Sequence, residues 1–322
     1  MAEPIRLHSR NDEQSRRLAE SMRRQLGEFY RYMREPDVTE ISLNPDGQVW
    51  VDRLGQPMQP VGVMRSEAAE TFIGNVASIV RLVVNYDHPL LQCRLPLDGS
   101  RFQATLPPVS AAPIFSIRRH ASSVFTLADY ERQGVISDLQ RLAIEEAIND
   151  RRNILVTGGT TSGKTTLLNA ILAHLAATSS HRMVVCEDTP ELQVTVPNAV
   201  TLWTSDTVTM RQLVVTAMRL RPDRIIIGES RDGAILETLK AWNTGHPGGF
   251  TTLHANNPRQ ALKRIEMLIR EVSRDPLRDL IADSVEVIIH LDRMGAAPYR
   301  RVTAVSSIIG HRNSEYEMQP LA

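Results

Sequence analysis

The sequence contains little cysteine, no long apolar run and no net charge, and each absence excludes a class of protein. Its two cysteines, Cys93 and Cys186, lie far apart and form no metal-type spacing, so a cysteine metal site is not expected. No apolar run approaches the length of a transmembrane helix, and residues 1–20 lack the apolar core of a signal peptide. We therefore expect a cytoplasmic protein with reduced thiols, whose membrane contact comes through a partner or a surface helix.

The balance of charge argues against nucleic acid as a partner. The 37 basic residues equal the 37 acidic residues in number, so the chain has no global attraction for nucleic acid or for an acidic membrane. No basic groove interleaved with aromatic residues is evident, which disfavours a DNA-translocating ATPase. A length of 322 residues, with 42% hydrophobic and 23% charged residues, suits a globular protein of two domains.

Lysine is also scarce, and one of the three lysines lies in the most informative segment of the chain. Residues 158–165, with the sequence GGTTSGKT, match the phosphate-loop pattern G-x-x-x-x-G-K-[ST]. Residues 153–157 before them are typical of a buried strand, and residues 166–175 after them have the apolar periodicity of a helix. Because such a turn aims backbone N–H groups and a helix N-terminus at one point, we expect it to bind the phosphates of a nucleotide.

The loop predicts specific roles for its residues. Lys164 is expected to be an exposed residue that neutralises the outer phosphates and contributes little to folding, and the hydroxyl of Thr165 is expected to hold Mg2+. The alternative is a glycine-rich turn that binds nothing, which the flanking strand and helix disfavour. The predicted nucleotide-binding residues are Gly158, Gly159, Thr160, Thr161, Ser162, Gly163, Lys164, Thr165 and Thr166.

Two acidic segments are candidates for the chemistry of hydrolysis. The apolar segment 224–228 leads into Glu229, which is a candidate to polarise the attacking water. Gly228 occupies the position where an aspartate commonly assists the metal. We therefore assign that assistance to Glu187 and Asp188, at the end of another apolar segment. Taken alone, those two residues would be expected to cap the turn that follows them.

A polar segment, residues 244–256, contains two histidines and a glycine-rich turn. Its composition is typical of a cluster that senses a γ-phosphate, and His254 is a candidate catalytic residue at the end of a predicted strand. For His246 the functional and the structural interpretations remain equally open. 

The first third of the chain predicts a small α+β domain. Residues 11–34 have the pattern of an amphipathic helix that covers its own domain, with apolar residues at Leu18, Met22, Leu26, Phe29 and Met33. A docking helix for a membrane or a partner is the less favoured interpretation. A hairpin at 38–51, a helix at 66–84 and strands at 101–106 and 115–118 are expected to follow. Residues 127–134 resemble a linker, and Asp138 is the predicted N-cap of a helix that ends at Ile148.

From Arg152 onward the pattern predicts an α/β domain. Apolar strands alternate with helices, which is typical of a parallel sheet covered on both faces. The predicted strands are residues 183–186, 200–203, 224–228, 250–253, 285–291 and 302–309. We therefore divide the chain into an N-terminal α+β domain, residues 1–130, and an ATPase domain, residues 131–322.

Four ordered motifs give the chain a specific resemblance. The phosphate loop, the segment 187–192, the segment 221–229 and the segment 246–256 occur in the order and spacing of the type II/type IV secretion ATPase superfamily. The resemblance covers residues 38–291. It implies a hexameric ring of RecA-like domains with a mainly parallel sheet, which binds ATP between the two domains. It also implies inner-membrane components of a secretion or conjugation apparatus as partners, in the cytoplasm or at the inner-membrane surface.

The resemblance also assigns catalytic roles to two arginines, Arg101 and Arg118, which match family arginines that reach the phosphates from the N-terminal domain. Two departures from the family pattern matter. Thr161 replaces a common loop glycine, which changes the stiffness of the loop but keeps its required residues. The four-cysteine zinc module of the type II branch cannot exist with two cysteines, which favours the conjugation-type branch.

These observations predict a Mg2+-dependent ATPase that drives conjugative transfer or pilus assembly. The alternative is a scaffold whose assembly is gated by nucleotide and whose hydrolysis is slow and incidental. Glu229 favours the motor over this scaffold. A switch-type GTPase is disfavoured, because no lysine of the chain lies in an N-K-x-D sequence.

Overall fold

The protein is α/β in class and contains two β-sheets. The computed structural model describes residues 12–53, 56–119, 125–205, 207–295, 297–313 and 315–322. The chain divides into two compact units, Met1–Ser123 and Val124–Ala322, each with its own hydrophobic core. Among the described residues, no helix combines the length and the apolar character that crossing a membrane requires.

The leading helix of the N-terminal unit is shorter than the sequence predicts. Helix α1, Asp12–Leu26, ends where Gly27 adopts a left-handed φ of 55°, and a 3-10 helix, Gly27–Arg34, continues the chain. Its predicted apolar face is confirmed where it is described, since Met22, Leu26, Phe29 and Met33 are buried in the core of the unit. Residue 11 and the side chain of Leu18 lie outside the described residues. The packing supports the interpretation of a helix that covers its own domain.

The N-terminal sheet is entirely antiparallel in its pairings, with the strand order β3-β2-β1-β6-β5-β4. Helix α2, Ser66–Val80, ends four residues before its predicted end, and its Phe72 packs against Phe102 and Phe115 of the sheet. The sequence analysis missed strands β3 and β4. The strands are β1 Val38–Leu43, β2 Gln48–Arg53, β3 Gln59–Val63, β4 Leu90–Arg94, β5 Arg101–Thr105 and β6 Ile114–Arg118.

The segment that resembles a linker is helical, which corrects two predictions. Helix α3, Leu127–Arg132, begins with a capping box in which Thr126 and Asp129 satisfy each other's backbone N–H groups. Helix α4, Asp138–Asn149, is capped by Ser137 through a second capping box with Gln140, so Asp138 is its first residue rather than its N-cap. Both boxes place a serine or threonine three residues before an aspartate or glutamine, which is a signal for a helix N-terminus. The linker was predicted from composition alone, and composition does not detect this spacing.

The sheet of the C-terminal unit has eight strands in the order β14-β13-β12-β7-β11-β10-β8-β9. Neighbouring strands from β12 to β9 run parallel, whereas β13 and β14 are added antiparallel at one edge. These strands are β7 Ile154–Gly158, β8 Met183–Glu187, β9 Ala199–Trp203, β10 Arg224–Ile227, β11 Phe250–His254, β12 Val287–Arg293, β13 Arg300–Arg312 and β14 Glu315–Pro320. The predicted strands of this half are all present, with bounds that differ by a few residues, and β14 was missed.

The remaining helices connect these strands. They are α5 Lys164–Thr178, α6 Met210–Arg219, α7 Ile235–Asn243, α8 Pro258–Ile269 and α9 Arg278–Ser284. Strands β7, β11 and β10 are adjacent and parallel, so their carboxyl ends lie at the same edge of the sheet. In open α/β sheets ligands bind at that edge, and the sequence-predicted site residues follow these strand ends.

Candidate active site

The phosphate loop connects the end of β7 to the start of α5, and two glycines shape it. A Cβ atom at Gly158 would lie 2.4 Å from the carbonyl oxygen of Leu291 and 2.5 Å from Ser162 Oγ, so only glycine fits there. Gly163 is the N-cap of α5 and has a left-handed φ of 99°. The first N–H groups of α5 have no partners within the helix, and they point out of its N-terminus at the loop. This geometry is that of a phosphate-binding turn.

Lys164 is buried, which corrects the expectation of an exposed loop residue. Its side chain is 6% exposed, and its ammonium donates to the carbonyl oxygens of Gly158 (3.1 Å) and Gly159 (2.8 Å). The ammonium also lies 3.1 Å from Nδ1 of His254. As the first residue of α5, Lys164 folds back across the loop that it follows. Its side chain therefore contributes to the structure of the loop as well as to its charge.

His254 connects Lys164 to Glu229. It is the last residue of β11, the strand between β7 and β10, and its Nε2 lies 3.1 Å from Oε1 of Glu229. Because an ammonium group can only donate, Nδ1 of His254 must accept from Lys164, and the ring proton therefore lies on Nε2 and is donated to Glu229. The structure thus brings together three residues that the sequence singled out in three separate motifs.

A fourth residue, Arg231, holds the other oxygen of Glu229. Its Nη2 lies 2.5 Å from Oε2 of Glu229. Burial would raise the pKa of Glu229, but the hydrogen bond and the charge of Arg231, together with the electrostatic effects of the His254 ring and of Lys164, lower that pKa below its usual value. A cleft of about 270 Å³ opens beside these groups, lined by Glu229, Ser230, Arg231, Leu253, His254 and Arg264. The carboxylate is therefore ionised at neutral pH, and it lines a cleft that is large enough to admit water.

Replacing Arg231 with alanine should move the acidic limb of the pH–rate profile of ATP hydrolysis to higher pH. Arg231 makes the largest contribution that lowers the pKa of Glu229, so without it that pKa rises and the carboxylate is protonated at a higher pH. The measurement is kcat between pH 4.5 and 8. Arg264→Ala is the matched control, because Arg264 lines the same cleft and no hydrogen bond or ion pair between described residues joins it to Glu229. If the acidic limb of the profile stays at the same pH in Arg231→Ala, then Arg231 does not control the pKa of Glu229.

The acidic pair predicted to assist Mg2+ lies further from the loop. Oε1 of the buried Glu187 accepts the N–H groups of Glu191 (2.8 Å) and Leu192 (2.9 Å), and its carboxylate lies against Gly228, where a Cβ would approach Oε1 to 3.3 Å. Asp188 accepts from the Thr204 hydroxyl at 3.2 Å. In the strand order of the sheet, β8 is the third strand from β7, so the end of β8 lies about 14 Å from the end of β7 at the usual spacing between strands. Glu187 thus caps the following turn, as the alternative interpretation predicts.

Within the described part of the chain, the residues at the loop are the ones that fit a magnesium ion. Among the described residues, no group of three or more histidine, cysteine or acidic side chains could hold a metal ion. Mg2+ at nucleotide sites uses few protein ligands and completes its shell with phosphate oxygens and water. The Thr165 hydroxyl, in the first turn of α5, fits that requirement, whereas Glu187 and Asp188 fit a role through water.

The other sequence-predicted residues are placed as follows. His246 is half-buried, and its ring Nδ1 and its backbone N–H both lie 3.3 Å from the carbonyl oxygen of Ala241, so its contacts are structural. In the N-terminal unit, Arg101 and Arg118 are directly opposite each other on β5 and β6. Arg94 on β4 is opposite Arg101 on the other side. We call these three residues, Arg94, Arg101 and Arg118, the arginine row.

Sequence reasoning missed two of these functional candidates. Arg231 stands two residues after Glu229, a spacing that puts both side chains on the same side of an extended segment. That spacing is the signal that could have found it. Arg94 has no comparable signal, because only the register between β4 and β5 brings it next to Arg101.

Comparisons with known proteins agree with this geometry. A family model described as type II/IV secretion system protein matches residues 30–312. The conjugal transfer protein TrbB of Rhizobium radiobacter is 46% identical over 286 residues, which cover 88% of this chain and 88% of TrbB. The type IV secretion system protein VirB11 of Bartonella henselae is 27% identical, over 82% of this chain and 86% of VirB11. The predicted resemblance to the type II/type IV secretion ATPase superfamily is confirmed, and the match to a conjugal transfer protein agrees with the predicted conjugation-type branch.

A solved structure gives the same result for the fold. The pilus retraction motor PilT, crystallised with bound ADP, aligns with a TM-score of 0.63 and 19% identity, and the alignment covers 89% of this chain and 83% of PilT. At this identity the similarity concerns the fold alone.

Proposed function

This chain belongs to the type II/IV secretion system protein family, and on that premise we propose that it is an ATP-hydrolysing motor of a type IV secretion or conjugative transfer apparatus. One observation carries the enzymatic part of the proposal: the continuous contact from Lys164 through His254 to Glu229 at the phosphate loop. A fold that only bound nucleotide would not need a carboxylate with a lowered pKa, held on both oxygens, beside an open cleft.

The proposed mechanism assigns one task to each residue. The loop N–H groups and the ammonium of Lys164 bind the phosphates of ATP, and the ammonium exchanges its carbonyl partners for phosphate oxygens. Glu229 orients water for attack on the γ-phosphorus and accepts its proton, while the bond to ADP breaks. His254 positions Glu229. Mg2+, bound by the Thr165 hydroxyl and assisted through water by Glu187 and Asp188, would neutralise charge on the phosphate oxygens.

The N-terminal domain contributes the arginine row in this proposal. We assign residues 1–130 to that domain and residues 131–322 to a RecA-like ATPase domain. Arginine side chains that lie next to each other on one face of a sheet suit the binding of a triphosphate, and Glu40, which is opposite Arg118 on β1, offsets part of their charge. Arg101 and Arg118 then stabilise the charge that develops on the γ-phosphate in the transition state.

Arg101→Ala and Arg118→Ala should each lower kcat by about 100-fold or more, with little change in the melting temperature. The expected loss is one of transition-state stabilisation, so kcat should fall while ATP still saturates the enzyme. The measurement is kcat at saturating ATP, with thermal unfolding in parallel. If the arginines serve only the surface of their own domain, the loss of either should leave kcat within a few-fold of the parent, because exposed pairs contribute little.

Assembly and location complete the proposal. The resemblance to the secretion ATPase superfamily implies a homohexameric ring that works with inner-membrane components, in the cytoplasm or at the inner-membrane surface. The similarity to a conjugal transfer protein favours a conjugation apparatus as the setting. The proposal does not include direct binding of nucleic acid. The alternative, a scaffold gated by ATP with incidental hydrolysis, would assemble in the presence of ATP and would keep assembling when Glu229 is lost. Turnover that a partner or a membrane stimulates favours the motor.

A further inference from the structure

Two arginines lie at the phosphate loop, one at the end of β12 and one at the start of β13, and the mechanism above uses neither of them. Arg293 and Arg300 are partners in the register of these strands. Nη1 of Arg293 donates to the Thr161 hydroxyl at 3.1 Å. Thr161 has a left-handed φ of 60°, which is uncommon for a residue other than glycine. Arg293 therefore supports the unusual loop conformation from outside the loop.

Arg300 lies against the last glycine of the loop. A Cβ atom at Gly163 would be 3.1 Å from its Nη1 and 3.2 Å from its Cδ, so its side chain passes directly over the N-cap of α5. The charge of Arg300 also acts on Tyr130, where it opposes the upward shift of the pKa of Tyr130 that burial causes. The guanidinium therefore lies at the start of α5, near enough to Tyr130 to act on it electrostatically.

This position is electrostatically unfavourable for a cation in the absence of an anion. The N-terminus of a helix carries partial positive charge, and the ammonium of Lys164 is close to the same turn. Within the part of the chain that the structure describes, no hydrogen bond or ion pair compensates Arg300. The next residue, Arg301, lies opposite Asp292 in the register of β12 and β13. Because successive side chains of a strand alternate, Arg301 is on the other face of the sheet from Arg300. The crowded positive charge at Gly163 would be compensated by an anion that binds there.

We propose that Arg300 is a nucleotide-binding residue that contacts the phosphate chain from within the same subunit. The proposal rests on the proposed function, since the anion is the nucleotide bound at the loop. The loop N–H groups cradle the α- and β-phosphates, whereas the lysine reaches outward to the β- and γ-phosphates. Because Arg300 lies at Gly163, it contributes to the binding of the α- and β-phosphates, and it binds ADP as well as ATP.

The test is the dissociation constant of ATP and of ADP, measured by calorimetry with the full-length protein in the presence of Mg2+. Arg300→Ala should weaken both by a similar factor, of about tenfold or more, because one charge-assisted contact is lost. Arg300→Lys keeps the charge and should recover part of the affinity. Arg301→Ala is the matched control, one residue away on the opposite face, and should bind both nucleotides as the parent does.

Other results would overturn the inference in distinguishable ways. If Arg300→Ala lowers the melting temperature without nucleotide but keeps both dissociation constants, Arg300 only packs against Gly163 and Tyr130. A loss for ATP alone would make Arg300 a γ-phosphate residue instead. If Lys164→Ala loses nucleotide affinity while Arg300→Ala does not, the proposed function stands and the role of Arg300 is refuted. A parent protein that binds neither nucleotide would refute both.

Discussion

Replacing Lys164 with alanine should abolish ATP hydrolysis. The ammonium of Lys164 is the compact charge that neutralises the outer phosphates as negative charge develops in the transition state, and no other residue of the loop can supply it. The loss also removes the donor to Nδ1 of His254, so the positioning of Glu229 weakens at the same time. The measurement is phosphate release at saturating ATP and Mg2+.

The control for this variant must address folding, because Lys164 is buried and binds two carbonyl oxygens of its own loop. Lys164→Met keeps the apolar stem without the charge, and it should be folded by circular dichroism and just as inactive. Hydrolysis within a few-fold of the parent in either folded variant would show that the loop does not bind the reacting phosphates.

Glu229→Gln should preserve ATP binding and lower turnover by about 100-fold or more. The amide keeps the volume of the side chain and can still contact Arg231, but it cannot accept a proton from water as a carboxylate does. The measurement is a single-turnover rate together with the dissociation constant of ATP. Asp188→Asn, another acid-to-amide change that faces Arg231 from 3.9 Å, is the matched control and should cost less.

A different result for Glu229→Gln would reassign the residue. If the variant fails to bind ATP, then Glu229 maintains the loop through His254 and Lys164, and it is not the group that orients water. If turnover is unchanged, the mechanism would have to begin from another carboxylate, such as that of Asp188, which lies 3.9 Å from Arg231, or that of Glu187, which lies against Gly228.

Local signals made most of the fold predictable from sequence. The buried strands of the C-terminal unit are short apolar runs, and the parallel arrangement follows from their alternation with helices. Strand β3 was missed because its five residues are exposed or half-buried and include Pro60 and Gly62, so no apolar alternation marks it. The leading helix was predicted too long, because its apolar periodicity continues through Gly27 into a 3-10 helix. Periodicity alone does not report where the backbone changes conformation.

The candidate site, like the fold, could be predicted from the sequence only in part. The phosphate loop, Glu229 and His254 follow strand ends of a parallel sheet, so their proximity can be derived from the motifs and the topology together. The burial of Lys164, the contact of Arg231 with Glu229 and the position of Arg300 depend on side-chain conformations and on strand register. Arg300 is 137 positions from Gly163 in sequence (300 minus 163), and only the antiparallel addition of β13 to β12 brings it to the loop.

The most direct test of the account is the rate of phosphate release by the purified full-length protein with saturating ATP and Mg2+, measured together with the mass of the particle. We expect steady hydrolysis by a ring-sized assembly, and a rate indistinguishable from background in the folded Lys164→Met variant. Assembly that depends on ATP but releases no phosphate above that background would contradict it, because the protein would then be a scaffold and not a motor.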